Sequence, residues 1–331
     1  MSDTPSPQAK VSYARVIFWS IVYASMLIPL LLFIASLLGR YFYLCELIGN
    51  FRAYILLLLV PCALILWFTG KRKPALLFAA ASLWCSFGVI TPAFAYSQPP
   101  AGDEILKIMS FNMLGDNRDF KAVFERIKEH DPEVLTVLEY TDQWPTVLKA
   151  LNETYPYRLE EPRWHGFGSA IFSKRPLTNV STTQVTRGVT DNPFLSVDIE
   201  MGGTPVRLVA VHLLSPMNRA RLKIRNRQLT EIAVSLVQRD IPTIVMGDFN
   251  CTPWSPFLSD FMKRTHLRDS RSGFGYQASW NALHPFLRIP IDHALVSPEI
   301  HVHSRKLGDV AGSDHYPLVF EVSLEANSQT P

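Results

Sequence analysis

Between Val16 and Leu38 the chain carries no charged side chain. A run of that length reaches the roughly 20 residues a helix needs to cross a hydrocarbon core, and it is longer than most helices of soluble cores. Two further apolar stretches follow. Tyr54 to Thr69 is near the lower limit for a span, and Ala75 to Tyr96 is less hydrophobic and preceded by Pro74, which suits a first helical turn. A cleaved signal peptide fits poorly, because the first run is too long and others follow it. The small residues Ala93 to Ala95 lie too deep in the chain for an ordinary cleavage site. We expect a membrane domain over residues 1–100 with three transmembrane helices at about 16–38, 54–69 and 75–96. A second domain is expected over 105–325, with loose ends at the start and after Glu325.

Orientation follows from the short loops. Lys71, Arg72 and Lys73 cluster between the second and third stretches, and positive charge is retained on the cytoplasmic side. Lys10 and Arg15 before the first stretch agree. The first loop, with Arg40, Glu46 and Arg52, is then outside, as is everything after Ser97. The expectation is an integral protein of a bacterial inner membrane, N-terminus cytoplasmic and second domain extracytoplasmic (periplasmic).

Composition excludes several classes. A formal net charge of +3 is too small to imply nucleic acid as a partner. Of four cysteines only Cys251 falls in the second domain, so that domain has no internal disulfide and no structural zinc spacing.

From Leu106 the pattern changes to short apolar runs alternating with helical periodicity. Strands are expected at Leu106 to Asn112, Val134 to Leu138, Gly168 to Ser173, Phe194 to Glu200, Val206 to His212, Ile241 to Met246, Ile289 to Ser297 and Tyr316 to Val322. Phe120, Val123, Phe124 and Ile127 recur at helical spacing up to Pro132. Ser215-Pro216 reads as the start of a second helix running to about Gln238. Many strands with few helices suggest two sheets packed face to face and flanked by helices.

Polar residues able to bind metal or phosphate recur at the ends of these strands: Asn112, Glu139, His212, Asp248, Asn250, Asp292, Asp314 and His315. Singly each is weak. An asparagine after a strand more often serves a turn, and a strand-end histidine is more often simply satisfied. Gly-Asp-Phe-Asn (247–250) is stronger, since side chains at i and i+2 of an extended segment point the same way. Ser-Asp-His-Tyr-Pro (313–317) places an acid beside a base in a tight loop, with an ordinary Asx turn as its alternative.

Together these residues resemble the endonuclease/exonuclease/phosphatase superfamily, of DNase I-like fold. The resemblance covers roughly Leu106 to Leu324, with Ser110-Phe111-Asn112, Leu138-Glu139, Gly168-Ser169-Ala170-Ile171, Val211-His212, Gly247-Asp248-Phe249-Asn250, Ile291-Asp292-His293 and Ser313-Asp314-His315 in the family's order. It implies an α/β four-layer sandwich, two packed mixed β-sheets flanked by helices, here preceded by the transmembrane helices. It also implies a metal-dependent hydrolase of phosphate esters. Asn112, Glu139 and Asp314 match metal positions whose hard oxygens suit Mg²⁺, with Mn²⁺ as the alternative. His315 matches the general base or phosphate-contacting histidine, with Asp292 as its carboxylate partner. Asp248 matches the residue that orients or deprotonates water, and Asn250 one that holds a phosphate oxygen. His212 matches a second histidine where abasic-site endonucleases carry tyrosine. One departure is Leu138, where many members have glutamine before the glutamate.

The substrate is less legible. Arg219, Arg221, Lys223, Arg225 and Arg227 are either a solvated face or a patch drawing in an anion, and Arg225 is the residue most suspected of touching phosphate. Trp164, Trp254 and Trp280 are candidates for the rim. A phosphodiesterase or phosphatase acting on a lipid-linked or membrane-proximal ester is the first expectation, since tethering beside a bilayer raises the effective concentration of lipid substrates. An extracytoplasmic nuclease is the second, with nucleic acid less favoured as a partner. A catalytically inactive interaction module is the third.

Overall fold

The computed structural model describes residues 13–94, 97–164, 166–186, 192–237 and 241–325. Lys10, the last two residues of the expected third span (Ala95 and Tyr96), the expected helix end at Gln238 and the tail after Glu325 lie outside the described residues.

The front of the chain is helical. Helices α1 (Tyr13–Ser25) and α2 (Leu27–Leu37) continue one another as a single 25-residue rod, long and apolar enough to cross a bilayer. Helix α5 (Arg72–Ile90), with the turn that follows it, also meets that condition. Between them α3 (Tyr43–Gly49) and α4 (Arg52–Phe68) are bent by 73° and make a third span only if taken as one. Helices α4 and α5 form a hairpin with Lys71 at its tip. At about 1.5 Å per residue, the tip stands roughly 25 Å from the other end, where Arg52 and Pro92 lie against the second domain.

The second domain is a sandwich of two six-stranded sheets. One runs in the order β11 (Ile300–Leu307), β12 (Leu318–Leu324), β1 (Leu106–Asn112), β2 (Val134–Leu138), β4 (Ser169–Ser173) and β3 (Tyr157–Glu161). The other runs β5 (Thr178–Gln184), β6 (Pro193–Met201), β7 (Thr204–His212), β8 (Thr243–Asp248), β10 (Asp292–Val296) and β9 (Arg268–Asp269). Successive side chains of a strand point to opposite faces, so each central strand feeds two cores. In β1, Leu106 and Ile108 enter the layer between the sheets, while Met109 and Phe111 pack under α6 (Phe120–His130) and α7 (Trp144–Val147). In β7, Leu208 and Ala210 face inward, and Val209 and Val211 pack under α8 (Arg219–Val237) and α9 (Pro256–Thr265). The result is the four-layer arrangement expected from the sequence.

Each sheet holds one parallel pair with a helical crossover, β1–α6–β2 and β7–α8–β8. The carboxyl ends of parallel strands open a crevice suited to ligands. Register fixes what stands there: Asn112 opposite Leu138, His212 opposite Asp248, and Asp248 in turn opposite Asp292.

Some boundaries differ from expectation: β8 covers Thr243–Asp248 and not 241–246, β10 covers Asp292–Val296 and not 289–297, and a helix starts late. Helix α8 begins at Arg219, not at Ser215-Pro216, because the Asn218 side chain caps it by accepting from the Arg221 N–H at 2.9 Å. The Pro216 carbonyl instead accepts the Tyr43 hydroxyl of α3 at 3.1 Å, which ties this segment to the apolar helices.

Candidate active site

Beyond β2 the backbone turns sharply. Glu139 adopts φ +56°, a left-handed conformation that costs a non-glycine residue of order 1 kcal/mol. This turn aims its carboxylate back across the strand ends, where Oε1 accepts from Asn112 Nδ2 at 3.2 Å and Oε2 from the Gly115 N–H at 2.8 Å. The Asn112 amide also reaches Asp248 Oδ2 at 3.4 Å and lies 3.5 Å from His315 Nε2. Its own Oδ1 is occupied by the Leu114 N–H.

In the opposite sheet Gly247 has φ +136°, and a Cβ there would lie 2.0 Å from the Val211 carbonyl oxygen. Only glycine lets β8 pass β7 closely enough to set Asp248 beside His212. Asn250, also left-handed at φ +49°, folds back on Asp248: its N–H donates to Oδ1 at 2.8 Å and its Nδ2 to Oδ2 at 3.1 Å. The same Nδ2 donates to the Leu213 carbonyl at 2.8 Å, so the amide nitrogen is spent on positioning Asp248.

The third contribution is the loop before β12. Ser313 Oγ donates to the Asn112 carbonyl and accepts from the His315 N–H, joining the loop to β1. His315 Nδ1 meets Asp292 Oδ2 at 2.8 Å, and its Nε2 points inward, 3.7 Å from Asp248 and 3.9 Å from Asp314. Asp314 Oδ2 accepts from Trp280 Nε1 at 2.8 Å, whereas its Oδ1 is buried with no partner.

Glu139, His212, Asp248, Asn250, Asp314 and His315 thus line one cavity of about 450 Å³, with Asn112 at its floor and Asp292 behind His315. All eight strand-end candidates converge. Arg225 does not. It is fully buried on the other side of the Gly-Asp-Phe-Asn loop, donating to the Asn250 carbonyl at 3.1 Å and to Glu46 of α3 at 2.9 Å. The basic residue that lines the cavity is Arg221, one helical turn earlier, with a buried Nε that has no partner. Of the three tryptophans only Trp280 lines this cavity. Trp164 is 80 % exposed in a groove beside Glu139, and Trp254 packs against α4 and α5.

Sequence reasoning missed the remaining wall. Leu47, Asn50 and Phe51, from the corner between α3 and α4, line the same cavity as Glu139 and His315. Nothing in the spacing of an apolar stretch points to a site in another domain. The structure does explain the corner's place: Glu46 also accepts from Ser255 Oγ, Asn50 Oδ1 accepts from Thr252 Oγ1 at 2.9 Å, and Tyr54 OH donates to the Arg288 carbonyl.

Burial and crowding set the protonation states. Burial opposes charge on His315, but Asp292, Asp248 and Asp314 outweigh it and hold the imidazolium up to about 10. Burial likewise opposes the Asp292 charge, yet His315 keeps it below the ordinary carboxylate range. Asp248 is pushed up to about 8 by burial, only partly relieved by His315. Burial lowers His212, whose Nδ1 has no partner. The carboxyl groups of Glu139, Asp248 and Asp314 therefore line the cavity, with Asp292 behind the one cationic imidazole. Such an excess calls for a cation, and a hard divalent ion suits all-oxygen donors. The oxygens of Asp248 and Asp292 also converge on His315, with ligand atoms within 4.8 Å of one another. That set is already engaged by the His315–Asp292 hydrogen bond. Among the described residues, Asp314 Oδ1, which accepts no hydrogen bond, is the freer donor, and the Glu139 oxygens accept only from the Asn112 amide and the Gly115 N–H.

The Endonuclease/Exonuclease/phosphatase family model matches residues 109–315. No curated protein matches the chain. Among solved structures, an endonuclease/exonuclease/phosphatase from Beutenbergia cavernae is 17 % identical, with a TM-score of 0.56 over 67 % of this chain and 72 % of its own. D. rerio TDP2 complexed with a single-strand DNA product is 16 % identical, with a TM-score of 0.57 over 67 % of this chain and 100 % of its own. The human Nocturnin catalytic domain with bound sulfate is 20 % identical, with a TM-score of 0.53 over 66 % and 94 %. These likenesses establish the fold of the sandwich. Since the family match runs over more than half of the sequence and takes in every strand-end residue from Asn112 to His315, the chain belongs to the Endonuclease/Exonuclease/phosphatase family.

Proposed function

We propose that the protein is a membrane-anchored, divalent-metal-dependent hydrolase that cleaves a lipid-linked or otherwise membrane-proximal phosphate ester. The observation that carries this reading is the composite cavity: the α3–α4 corner of the apolar helices supplies Leu47, Asn50 and Phe51 to the cavity that holds Glu139, Asp248, Asp314 and His315. A phosphate seated among the carboxylates would have its organic neighbour against Leu47, Phe51 and Ile289, at the level where the helices meet the second domain.

Glu139 and Asp314 would hold Mg²⁺ or Mn²⁺, with Asn112 bracing the Glu139 carboxylate. When bound, the ion neutralises the phosphate and its developing charge. Asp292 fixes the His315 ring so that the protonated Nε2 points at the ester oxygens, where it can hydrogen-bond the charge that builds up. Asp248, with its raised affinity for a proton, is suited to take one from the attacking water, and Asn250 holds it in place. Arg221 adds a positive charge at the mouth. Placement of the sandwich at the end of the hairpin away from Lys71, Arg72 and Lys73 supports an extracytoplasmic catalytic domain in an inner membrane.

The test uses the full chain in detergent micelles with bis-p-nitrophenyl phosphate. Turnover should require Mg²⁺ or Mn²⁺, and Glu139→Ala and His315→Ala should each lose about 10²–10⁴-fold in kcat while remaining folded by circular dichroism at the assay temperature. A folded wild-type protein that turns over neither this substrate nor a panel of lipid phosphates and nucleic acids would leave the interaction-module reading in its place. The D. rerio TDP2 complex with DNA keeps the nuclease reading in view, and competition by soluble DNA would favour it.

A further inference from the structure

A second cavity, of about 930 Å³, lies on the other side of the α3–α4 corner, between the α4–α5 hairpin and the segment after β8. Its charged lining is unbalanced. Arg40 is paired with Asp260 and Arg271 with Asp269. Arg52, among the described residues, has no carboxylate partner. Its guanidinium lies 6.0 Å from the Trp254 ring centre and over Gly88, where even a Cβ would come within 3.3 Å of Nη1. Two N–H groups in this cavity, Arg52 Nε and Trp254 Nε1, are buried with no acceptor. Buried donors without partners are rare and costly, and an uncompensated cation more so. Both deficits call for the same thing, an anionic oxygen acceptor.

The walls say where such an anion comes from. Leu83, Trp84 and Phe87 of α5 line the cavity and are 73 %, 59 % and 76 % exposed on the helix's outer side. If α5 spans a bilayer, these side chains meet acyl chains, and the cavity opens to lipid at the end of the hairpin where headgroups lie. We propose that this cavity binds one anionic phospholipid, its phosphate accepting from Arg52 Nε and Trp254 Nε1 and its chains lying along Leu83, Trp84 and Phe87. Asn50, which adjoins Arg52 across Phe51, bonds to Thr252 of the active-site loop. The lipid would therefore brace the corner that walls the catalytic cavity. The proposal rests on the helices being membrane spans and is independent of the reaction catalysed.

The experiment reads bound lipid, not turnover. Full-length protein is reconstituted in nanodiscs of phosphatidylcholine with or without phosphatidylglycerol, then extracted, and retained lipid is measured by native mass spectrometry. Wild type should retain phosphatidylglycerol in preference to phosphatidylcholine and melt at a higher temperature when it is present. Arg52→Gln should lower retention about tenfold, the equivalent of one charge-assisted hydrogen bond, and abolish the thermal shift. Trp254→Phe, which keeps the ring, should lower retention less, and Arg52→Lys should restore it; these two variants carry the test if Arg52→Gln does not fold. Arg72→Gln, at the far tip of the hairpin, should retain lipid as wild type does. Equal retention of the two lipids by wild type, retention unaltered in Arg52→Gln and Trp254→Phe, or displacement by inorganic phosphate would overturn the proposal.

Discussion

In the sandwich, large apolar side chains point inward: Leu106, Ile108, Leu208 and Ile244 have no exposed surface. The helices bury a smaller apolar cluster around Leu59 and Phe78 but leave much of their apolar surface exposed. Leu31, Leu57 and Phe87 are 62 %, 68 % and 76 % exposed, while Glu46 and Asn50 are among the buried groups. One region hides apolar surface from water; the other leaves much of it exposed, as a surface suited to lipid would be, and uses polar groups for contact with its neighbour. The lesson lies at the joint. Association there includes a few buried polar contacts, Glu46 with Arg225 and Ser255 and Asn50 with Thr252, which suits helices whose apolar surface, if in a bilayer, gains nothing by leaving it.

The most forceful way to break this pairing of unlike halves is to remove one member of the joint. Glu46→Ala leaves the fully buried Arg225 without its carboxylate and should cost about 3–5 kcal/mol, read as the unfolding free energy of the full chain in detergent. The double variant Glu46→Leu, Arg225→Met should recover most of that loss, since a buried ion pair replaced as a unit is often neutral. A double variant no more stable than Glu46→Ala would show that the pair is not the joint.

Acid should act on the sandwich alone. Burial holds His293 down to about 4, with its Nε2 against the Cys251 carbonyl at 2.8 Å. An unfolded chain takes up that proton near pH 6.5 and the folded one refuses it. Stability is thus whole above about 6.5 and falls by about 3 kcal/mol as the pH drops to about 4. In His293→Gln this part of the slope should vanish, as read from denaturant unfolding of the full chain at each pH. A slope identical in the two proteins would assign the acid sensitivity elsewhere.

The smallest effect separates two arginines of one helix. Arg221→Gln should lower kcat/KM for an anionic substrate about tenfold at unchanged stability. Arg225→Gln should instead lower stability through the joint. Exchanged phenotypes would reverse the placement of the two side chains.

What could be read beforehand divides along the same physical line. All eight strands expected from the sequence are the interior strands of the two sheets, buried on both faces and so written as nearly continuous apolar runs. The four that escaped notice, β3, β5, β9 and β11, are the edges. Thr178–Gln184 holds one apolar residue in seven positions, and Arg268–Asp269 is only two residues long. An edge strand needs only a neighbour to pair with, which local sequence does not record. The strand-end residues were legible because chemistry needs particular side chains at turns. Arg225 was misjudged because a run of basic residues along one helix is silent about which of them meets the cavity: Arg221 lines it and Arg225 pairs with Glu46. Glu46 passed as a loop carboxylate because its partner lies 179 residues further on.

That separation bears on the order in which the molecule comes into being. Ribosomes deliver Glu46 first, and Arg225 arrives only after every apolar helix has been made. Until α3 is seated, the guanidinium behind the Gly-Asp-Phe-Asn loop has no counter-ion and the cavity lacks a wall. On the proposed membrane reading, completion of the cavity would wait on insertion of the helices, because the wall that α3 brings and the counter-ion of Arg225 arrive together.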